Sequence, residues 1–139
     1  MSLLRTFLAI EIPPEIKRAI VRQSDGLRRA TGRSVRWAAP ENIHLTLKFL
    51  GDTSPASVDF LTQAIKAETS QHASFEIELR TLGAFPNLRR PRIIWIGLDA
   101  PEDLSRLQRG IEAVTAQLGY ETDDKPFSPH LTIGRVRHP

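Results

Sequence analysis

Two short stretches decide how this chain folds: residues 44–50 read His-Leu-Thr-Leu-Lys-Phe-Leu, and residues 130–136 read His-Leu-Thr-Ile-Gly-Arg-Val. Branched and aromatic side chains dominate both stretches, which predicts two β-strands. Because side chains alternate across a strand, each stretch has one aliphatic face and one face that carries its histidine and threonine. We expect the aliphatic faces to pack against helices, which leaves the His/Thr faces to line a polar surface.

The rest of the chain predicts the order β-α-β-α-β-β-α-β. Apolar residues at helical spacing predict three helices, which begin near Pro14, Pro55 and Pro101. The predicted strands cover residues 5–12, 43–50, 74–82, 92–98 and 130–136, and residues 83–90 are predicted to form a loop. The connections are short and none resembles a linker, so we expect one α+β domain over residues 1–139, with antiparallel or mixed sheets and outer helices.

Composition excludes several classes of protein. The chain has 139 residues, of which 40% are hydrophobic and 25% charged, as in ordinary globular domains rather than disordered chains. It contains no cysteine, so disulfides, zinc-thiolate sites, iron–sulfur clusters and cysteine nucleophiles are excluded. Its apolar runs are too short to span a membrane, and its start lacks the layout of a signal peptide. We therefore expect a cytoplasmic protein.

Arginine accounts for 15 of the 19 basic residues. The guanidinium group is planar and matches the geometry of phosphate, whereas lysine is the commoner solubilising cation. The arginines also cluster, in residues 22–36, 89–92 and 135–137. Charge alone leaves two interpretations open, a solvated surface and a partner that bears phosphate.

The repeated His-x-Thr pattern indicates acid–base chemistry at a phosphodiester. Imidazole titrates near neutrality, so one of His44 and His130 can act as a base while the other acts as an acid. Hydroxyl groups of Thr46 and Thr132 can hydrogen-bond the non-bridging oxygens of a phosphate between them. Either Lys48 or Arg135 can add a charge-assisted contact. Such a site requires no metal and no cofactor.

Taken singly, these residues have ordinary structural explanations. A histidine in a strand is often a core residue with its hydrogen bonds satisfied, and threonine is common in strands. A matched pair at two sites favours a shared catalytic cause. A two-histidine metal site is disfavoured because no carboxylate lies beside either His/Thr face. The other two histidines, His72 and His138, are expected to be solvated and without a catalytic role.

With these motifs the sequence resembles the 2H phosphoesterase superfamily, and within it the bacterial and archaeal RNA 2′,3′-cyclic phosphodiesterases, also called 2′-5′ RNA ligases. The resemblance covers nearly the whole chain. It is carried by residues 5–11, 35–37, 44–51, 83–86, 92–95 and 127–132.

The resemblance implies a bilobal α+β fold with a cleft that holds both motifs. It also implies metal-independent opening of an RNA-terminal 2′,3′-cyclic phosphate to a 2′-phosphate, with reversible 2′-5′ ligation as a further activity. His130 would activate water, His44 would protonate the departing 3′-oxygen, and Thr46 and Thr132 would hold phosphate oxygens. Arg135 would contact phosphate or base. The symmetric motifs leave the order of acid and base open.

Two other functions stay open on sequence alone: a non-catalytic module that binds RNA ends, and a phosphodiesterase acting on 2′-5′ oligoadenylate or ADP-ribose cyclic phosphate. The expected partners are RNA ends or small cyclic nucleotides, and no membrane. Members of the family usually continue well beyond the second motif, with strands that extend the sheet of the first lobe, whereas this sequence stops at Pro139. We expect a monomer, with strand exchange or a dimer as the alternative if a sheet edge is left uncovered.

Overall fold

A computed structural model describes residues 2–137 and confirms the α+β class. Its elements are β1 (Leu4–Glu11), α1 (Pro14–Thr31), β2 (Val35–Trp37), β3 (His44–Thr53), α2 (Val58–Thr69), β4 (Glu78–Phe85), β5 (Ile93–Asp99), α3 (Glu102–Gln117) and β6 (His130–Val136). Short 3₁₀ turns precede β2, β3 and α2. Among the described residues, no helix combines the length and the apolar character that crossing a membrane requires.

The chain divides into two compact units. The first unit contains the described residues up to Ala9, together with Thr46–Glu78 and Asp99–Ser128. The second contains Ile10–Leu45, Leu79–Leu98 and the described residues from Pro129 onward. The expectation of a single domain over residues 1–139 stays a prediction.

The first unit combines a two-stranded sheet with two helices. Strand β1 pairs with β3, and α2 packs against α3. Leu104, Leu107 and Ile111 are buried at the helical spacing that the sequence predicts for α3. Thr115 completes this buried face, and its hydroxyl donates a hydrogen bond of 2.8 Å to the carbonyl of Ile111. The polar side chain is therefore satisfied within its own helix.

The second unit contains a four-stranded sheet with the order β2-β6-β5-β4. Strand β6 runs antiparallel to both β2 and β5, so the second motif lies on an interior strand. Helix α1 contacts β2, and the guanidinium of Arg28 lies 5.1 Å from the centre of the Trp37 ring. Such a cation–π contact anchors the helix to the edge strand of the sheet.

The largest differences from the sequence-based expectation are in β2 and β4, and β3 also continues to Thr53 instead of ending at residue 50. Strand β2 was not predicted, because its three residues are too few to show a period and its pairing with β6 is what makes it a strand. Strand β4 covers residues 78–85 instead of 74–82. The alternating pattern at 74–82 is typical of an extended chain, but the pairing with β5 decides where the strand ends. Residues 83–85 therefore lie in the sheet and not in the predicted loop.

Candidate active site

The two motif strands repeat the same pattern of burial. Residues 44–50 and residues 130–136 show the same order of burial. The seven positions of each stretch are in turn half-buried, buried, half-buried, buried, buried, exposed and half-buried. The aliphatic second and fourth positions of both strands are buried, and the histidine and threonine positions are half-buried. The first four positions of each strand therefore agree with the alternation that the sequence predicts, whereas the fifth, Lys48 in β3 and Gly134 in β6, is buried. The two stretches are thus alike in structure as well as in sequence.

A bulge in β6 brings Arg135 to the face that carries His130 and Thr132. Pairing with β5 places His130 opposite Gly97, Thr132 opposite Trp95 and Arg135 opposite Ile93. These three partners are alternate residues of β5, and directly opposed residues of antiparallel strands share a face. Simple alternation would put Arg135 on the other face of β6. The shift of register between Ile94 and Trp95 leaves one extra residue in β6, and this residue brings the Arg135 side chain to the face of His130.

A second guanidinium group, that of Arg36, lies beside the guanidinium group of Arg135. Arg36 of β2 is directly opposite Arg135, and both side chains are exposed. Like charges in directly opposed positions destabilise a sheet unless an anion lies between them. Sequence reasoning gave Arg36 no role at the site, because its partner in the sheet is 99 residues later in the chain. The structure thus adds Arg36 to the candidate anion-binding residues.

Two aromatic rings border the imidazole of His130, and we call them the aromatic corner: Phe85 and Trp95. The Phe85 ring meets the imidazole edge-on, with centroids 5.1 Å apart and planes at 80°. The Trp95 ring lies 6.5 Å from the imidazole and 5.3 Å from Phe85. The Trp95 indole N–H is buried without a hydrogen-bond partner among residues 2–137. Packing, rather than hydrogen bonding, therefore holds this indole against His130.

Gly83 makes room for the aromatic corner, because a Cβ at this position would overlap the Trp95 indole. We expect Gly83→Ala to destabilise the fold by about 1–3 kcal/mol through overpacking and to displace the indole from His130. Gly26 is the control, since it lies inside α1 with open space around it. There alanine is expected to stabilise by about 0.5–1 kcal/mol. Urea unfolding and tryptophan emission measure both effects; equal stability of the two variants would contradict this packing.

Burial lowers the pKa of His44 below its ordinary value of 6.5. The Lys17 ammonium acts in the same direction, and the Glu11 carboxylate opposes it. The unbound protein therefore holds His44 mainly neutral at pH 7. Because the folded state disfavours the charged form, the stability that His44 contributes is present above pH 6.5 and is lost as the pH falls through the lowered pKa.

Neutralising Lys17 and neutralising Glu11 should shift the pKa of His44 in opposite directions. Lys17→Gln removes a positive charge and is expected to raise the pKa of His44. The matched variant Glu11→Gln removes a negative charge and is expected to lower it further. NMR titration of the imidazole Cε1–H resonance measures both shifts. Shifts of the same sign in the two variants would show that the electrostatics of His44 have another source.

Thr46 and Lys48 follow His44 along β3, in the part of the strand that belongs to the first unit. Thr46 shares the face of His44 by strand alternation and is half-buried like it. The ammonium of Lys48 is buried, and it donates hydrogen bonds of 2.7 Å to Glu112 Oε1 and 2.7 Å to the carbonyl of Glu121. We therefore assign Lys48 a structural role and leave it out of the proposed phosphate site.

Of the remaining histidines, His72 lies within the described residues. His72 follows α2, and its Nε2 lies 2.7 Å from Glu68 Oε2 at a half-buried position of the first unit. His138 lies outside the described residues. Within residues 2–137, no three or more histidine, aspartate and glutamate side chains are grouped so that they could hold a metal ion.

Comparisons with known proteins agree on one family. The profile of the LigT-like phosphoesterases matches residues 10–95. The RNA 2′,3′-cyclic phosphodiesterase of Methanothermobacter thermautotrophicus is 34% identical over 135 residues, which cover 97% of this chain and 72% of that protein. A solved structure from Thermus thermophilus superposes with a TM-score of 0.81 at 29% identity, over all of this chain and 76% of its own. E. coli LigT complexed with 3′-AMP superposes with a TM-score of 0.75 at 28% identity, over 96% and 73%.

Proposed function

This chain belongs to the LigT-like phosphoesterase family, and on that premise we propose that it hydrolyses the 2′,3′-cyclic phosphate at an RNA end to a 2′-phosphate. The observation that carries the proposal is the common face of His130, Thr132 and Arg135, together with the same pattern of burial around His44 and Thr46. These residues combine an acid–base pair with donors for phosphate oxygens.

In the proposed reaction, a water oxygen attacks phosphorus while one imidazole takes up the proton of that water. The bond from phosphorus to the 3′-oxygen breaks, and the second imidazole donates its proton to that oxygen. The 2′-oxygen keeps the phosphate. The two histidines finish with exchanged protonation states, which solvent restores. This use of two imidazoles is metal-independent.

Negative charge on the phosphate oxygens grows in the transition state and needs donors that are already in place. Thr46 and Thr132 donate hydroxyl hydrogen bonds to the non-bridging oxygens in this proposal. Arg135 adds a charge-assisted contact, and Arg36 opposite to it adds a second positive charge. An anion between the two guanidinium groups also removes the repulsion that they exert on each other in the unbound sheet.

The lowered pKa of His44 provides a way to assign acid and base. Family resemblance gives His130 as the base, whereas a largely neutral His44 in the unbound protein is suited to accept a proton. The pH dependence of kcat/KM should be bell-shaped, with the base on its acidic limb and the acid on its alkaline limb. Lys17→Gln raises the pKa of His44 and so moves one limb only. Movement of the acidic limb would identify His44 as the base, and movement of the alkaline limb would identify it as the acid.

Ligation uses the same chemistry with another nucleophile. If a 5′-hydroxyl takes the place of water, the same displacement of the 3′-oxygen produces a 2′-5′ phosphodiester. We propose this as a second activity of the site. It is measured by incubating RNA that ends in a cyclic phosphate with an acceptor RNA that has a 5′-hydroxyl.

A panel of substrates in EDTA tests the proposed function. It contains 2′,3′-cyclic mononucleotides, an RNA with a 2′,3′-cyclic phosphate end, 2′-5′ oligoadenylate and ADP-ribose cyclic phosphate. The expected result is a 2′-phosphate product from the first two. RNA-end binding without turnover of any substrate would indicate the binding module instead, and turnover of the last two alone would indicate the third function.

A further inference from the structure

A surface groove runs along the first half of α1 in the second unit. It lies between this helix and the 3₁₀ turn Pro40–Asn42, which contacts it. Its walls combine apolar and cationic side chains: Pro14, Lys17, Arg18, Val21, Arg22 and Pro40. The proposed reaction uses none of these residues to bind or transform the cyclic phosphate.

The three cations of this groove, Lys17, Arg18 and Arg22, have no ion-pair partner among the described residues. Later in the same helix the arginines are engaged, since Arg29 pairs with Asp25 at 2.6 Å and Arg28 stacks on Trp37. Of the four cations of α1 that have no ion pair among the described residues, three therefore lie at the groove.

Helical spacing arranges this charge along a line. Arg18 and Arg22 are four residues apart, so they lie on the same face of α1 with an axial separation of about 6 Å. The two guanidinium groups can each meet a different phosphate of one extended strand. Val21 and the prolines at positions 14 and 40 add an apolar surface on which riboses or bases can pack.

The charge of one groove residue, Lys17, also acts on His44 of the proposed catalytic pair. Lys17 lines the groove, and its ammonium is close enough to act on His44, which belongs to the same unit. Lys17 is therefore common to the groove that contains Arg18 and Arg22 and to the electrostatic surroundings of His44.

We propose that this groove binds the phosphodiester backbone of the RNA strand that precedes the cyclic phosphate, with Arg18 and Arg22 as the phosphate contacts. The inference rests on the proposed function and extends it, because it makes a polynucleotide rather than a mononucleotide the preferred substrate. Backbone contacts of this kind bind without reading sequence, and their strength depends on salt through counterion release.

The test compares two double variants with the same change in net charge. Arg18→Gln/Arg22→Gln removes the groove arginines, and the control Arg106→Gln/Arg109→Gln removes two exposed arginines of α3 in the first unit. For the groove variant we expect kcat/KM to fall roughly tenfold with an RNA of about ten nucleotides that ends in a cyclic phosphate. With 2′,3′-cyclic AMP we expect kcat/KM to stay unchanged. The control should match the wild type on both substrates.

Binding of the same RNA with a 3′-hydroxyl end, followed by fluorescence anisotropy at increasing KCl, gives a readout that is independent of catalysis. The slope of log Kd against log salt should decrease by about 0.7 for each phosphate contact that the groove variant loses. An unchanged slope, or an equal change in the control, would overturn the proposal. So would binding to vesicles that contain phosphatidylserine without binding to the RNA. If no substrate is turned over, the proposed function fails, and the anisotropy still decides the role of the groove.

Discussion

Replacing His44 or His130 by alanine is expected to lower kcat for a 2′,3′-cyclic phosphate by about 10²–10⁴-fold, because each imidazole carries one proton transfer of the proposed reaction. KM should change much less, since threonine and arginine donors hold the phosphate. His72→Ala is the matched control, because this histidine pairs with Glu68 in the first unit and has no part in the proposed reaction. Steady-state kinetics with each purified variant measures the effect.

Two kinetic results distinguish an acid–base pair of histidines from two histidines that only bind phosphate. The double variant His44→Ala/His130→Ala should lose little more activity than either single variant, because residues that act as a unit are non-additive. Each single variant should also lose one limb of the bell-shaped pH profile. Losses that multiply in the double variant, with both limbs kept, would contradict the pairing of the two histidines.

Replacing Lys48 by methionine is expected to destabilise the fold by about 3 kcal/mol. The side chains of Lys48 and Glu112 are 4% and 20% exposed, and their ion pair is 2.7 Å long. Without the ammonium, the Glu112 carboxylate keeps hydrogen bonds from Gln108 Nε2 and the amide of Asp123, and the carbonyl of Glu121 loses the hydrogen bond from Lys48. Urea unfolding followed by circular dichroism measures the loss of stability.

Lys66→Met controls for the removal of a lysine, because Lys66 lies on the exposed side of α2. Its stability should stay within about 0.5 kcal/mol of the wild type. The double variant Lys48→Met/Glu112→Gln should recover part of the lost stability, since it leaves no unpaired buried charge. If Lys48→Met keeps full stability and instead raises KM for the cyclic phosphate, the residue is a phosphate ligand after all and the structural assignment is wrong.

Much of the candidate site could be predicted because strand alternation is a local property. The buried positions of Leu45 and Leu131, and the half-buried faces of the histidines and threonines, depend only on each strand and on which face is buried. The helices were predictable for the same reason, since their apolar residues recur at helical spacing. Arg135 was also among the predicted phosphate contacts, although alternation alone would place it on the other face of β6.

The features that sequence reasoning missed depend on partners far away along the chain. Lys48 belongs to the His/Thr face by alternation, and its buried ammonium pairs with Glu112, 64 residues later. Arg36 becomes part of the site only through its register with β6. Residues 83–85 enter the sheet through the pairing of β4 with β5, where Gly83 leaves room for the indole of Trp95. Each of these features depends on tertiary contacts, which the periodicity of apolar residues in a single helix or strand does not predict.

The central claim is that two histidines open a cyclic phosphate without a metal. Its most direct test is the reaction of one RNA that ends in a 2′,3′-cyclic phosphate, in EDTA, with the wild type, His44→Ala and His130→Ala, with 2′- and 3′-phosphate products separated. The account predicts a 2′-phosphate product from the wild type and almost none from either variant. A 3′-phosphate product, turnover that EDTA abolishes, or undiminished turnover by either variant would contradict it.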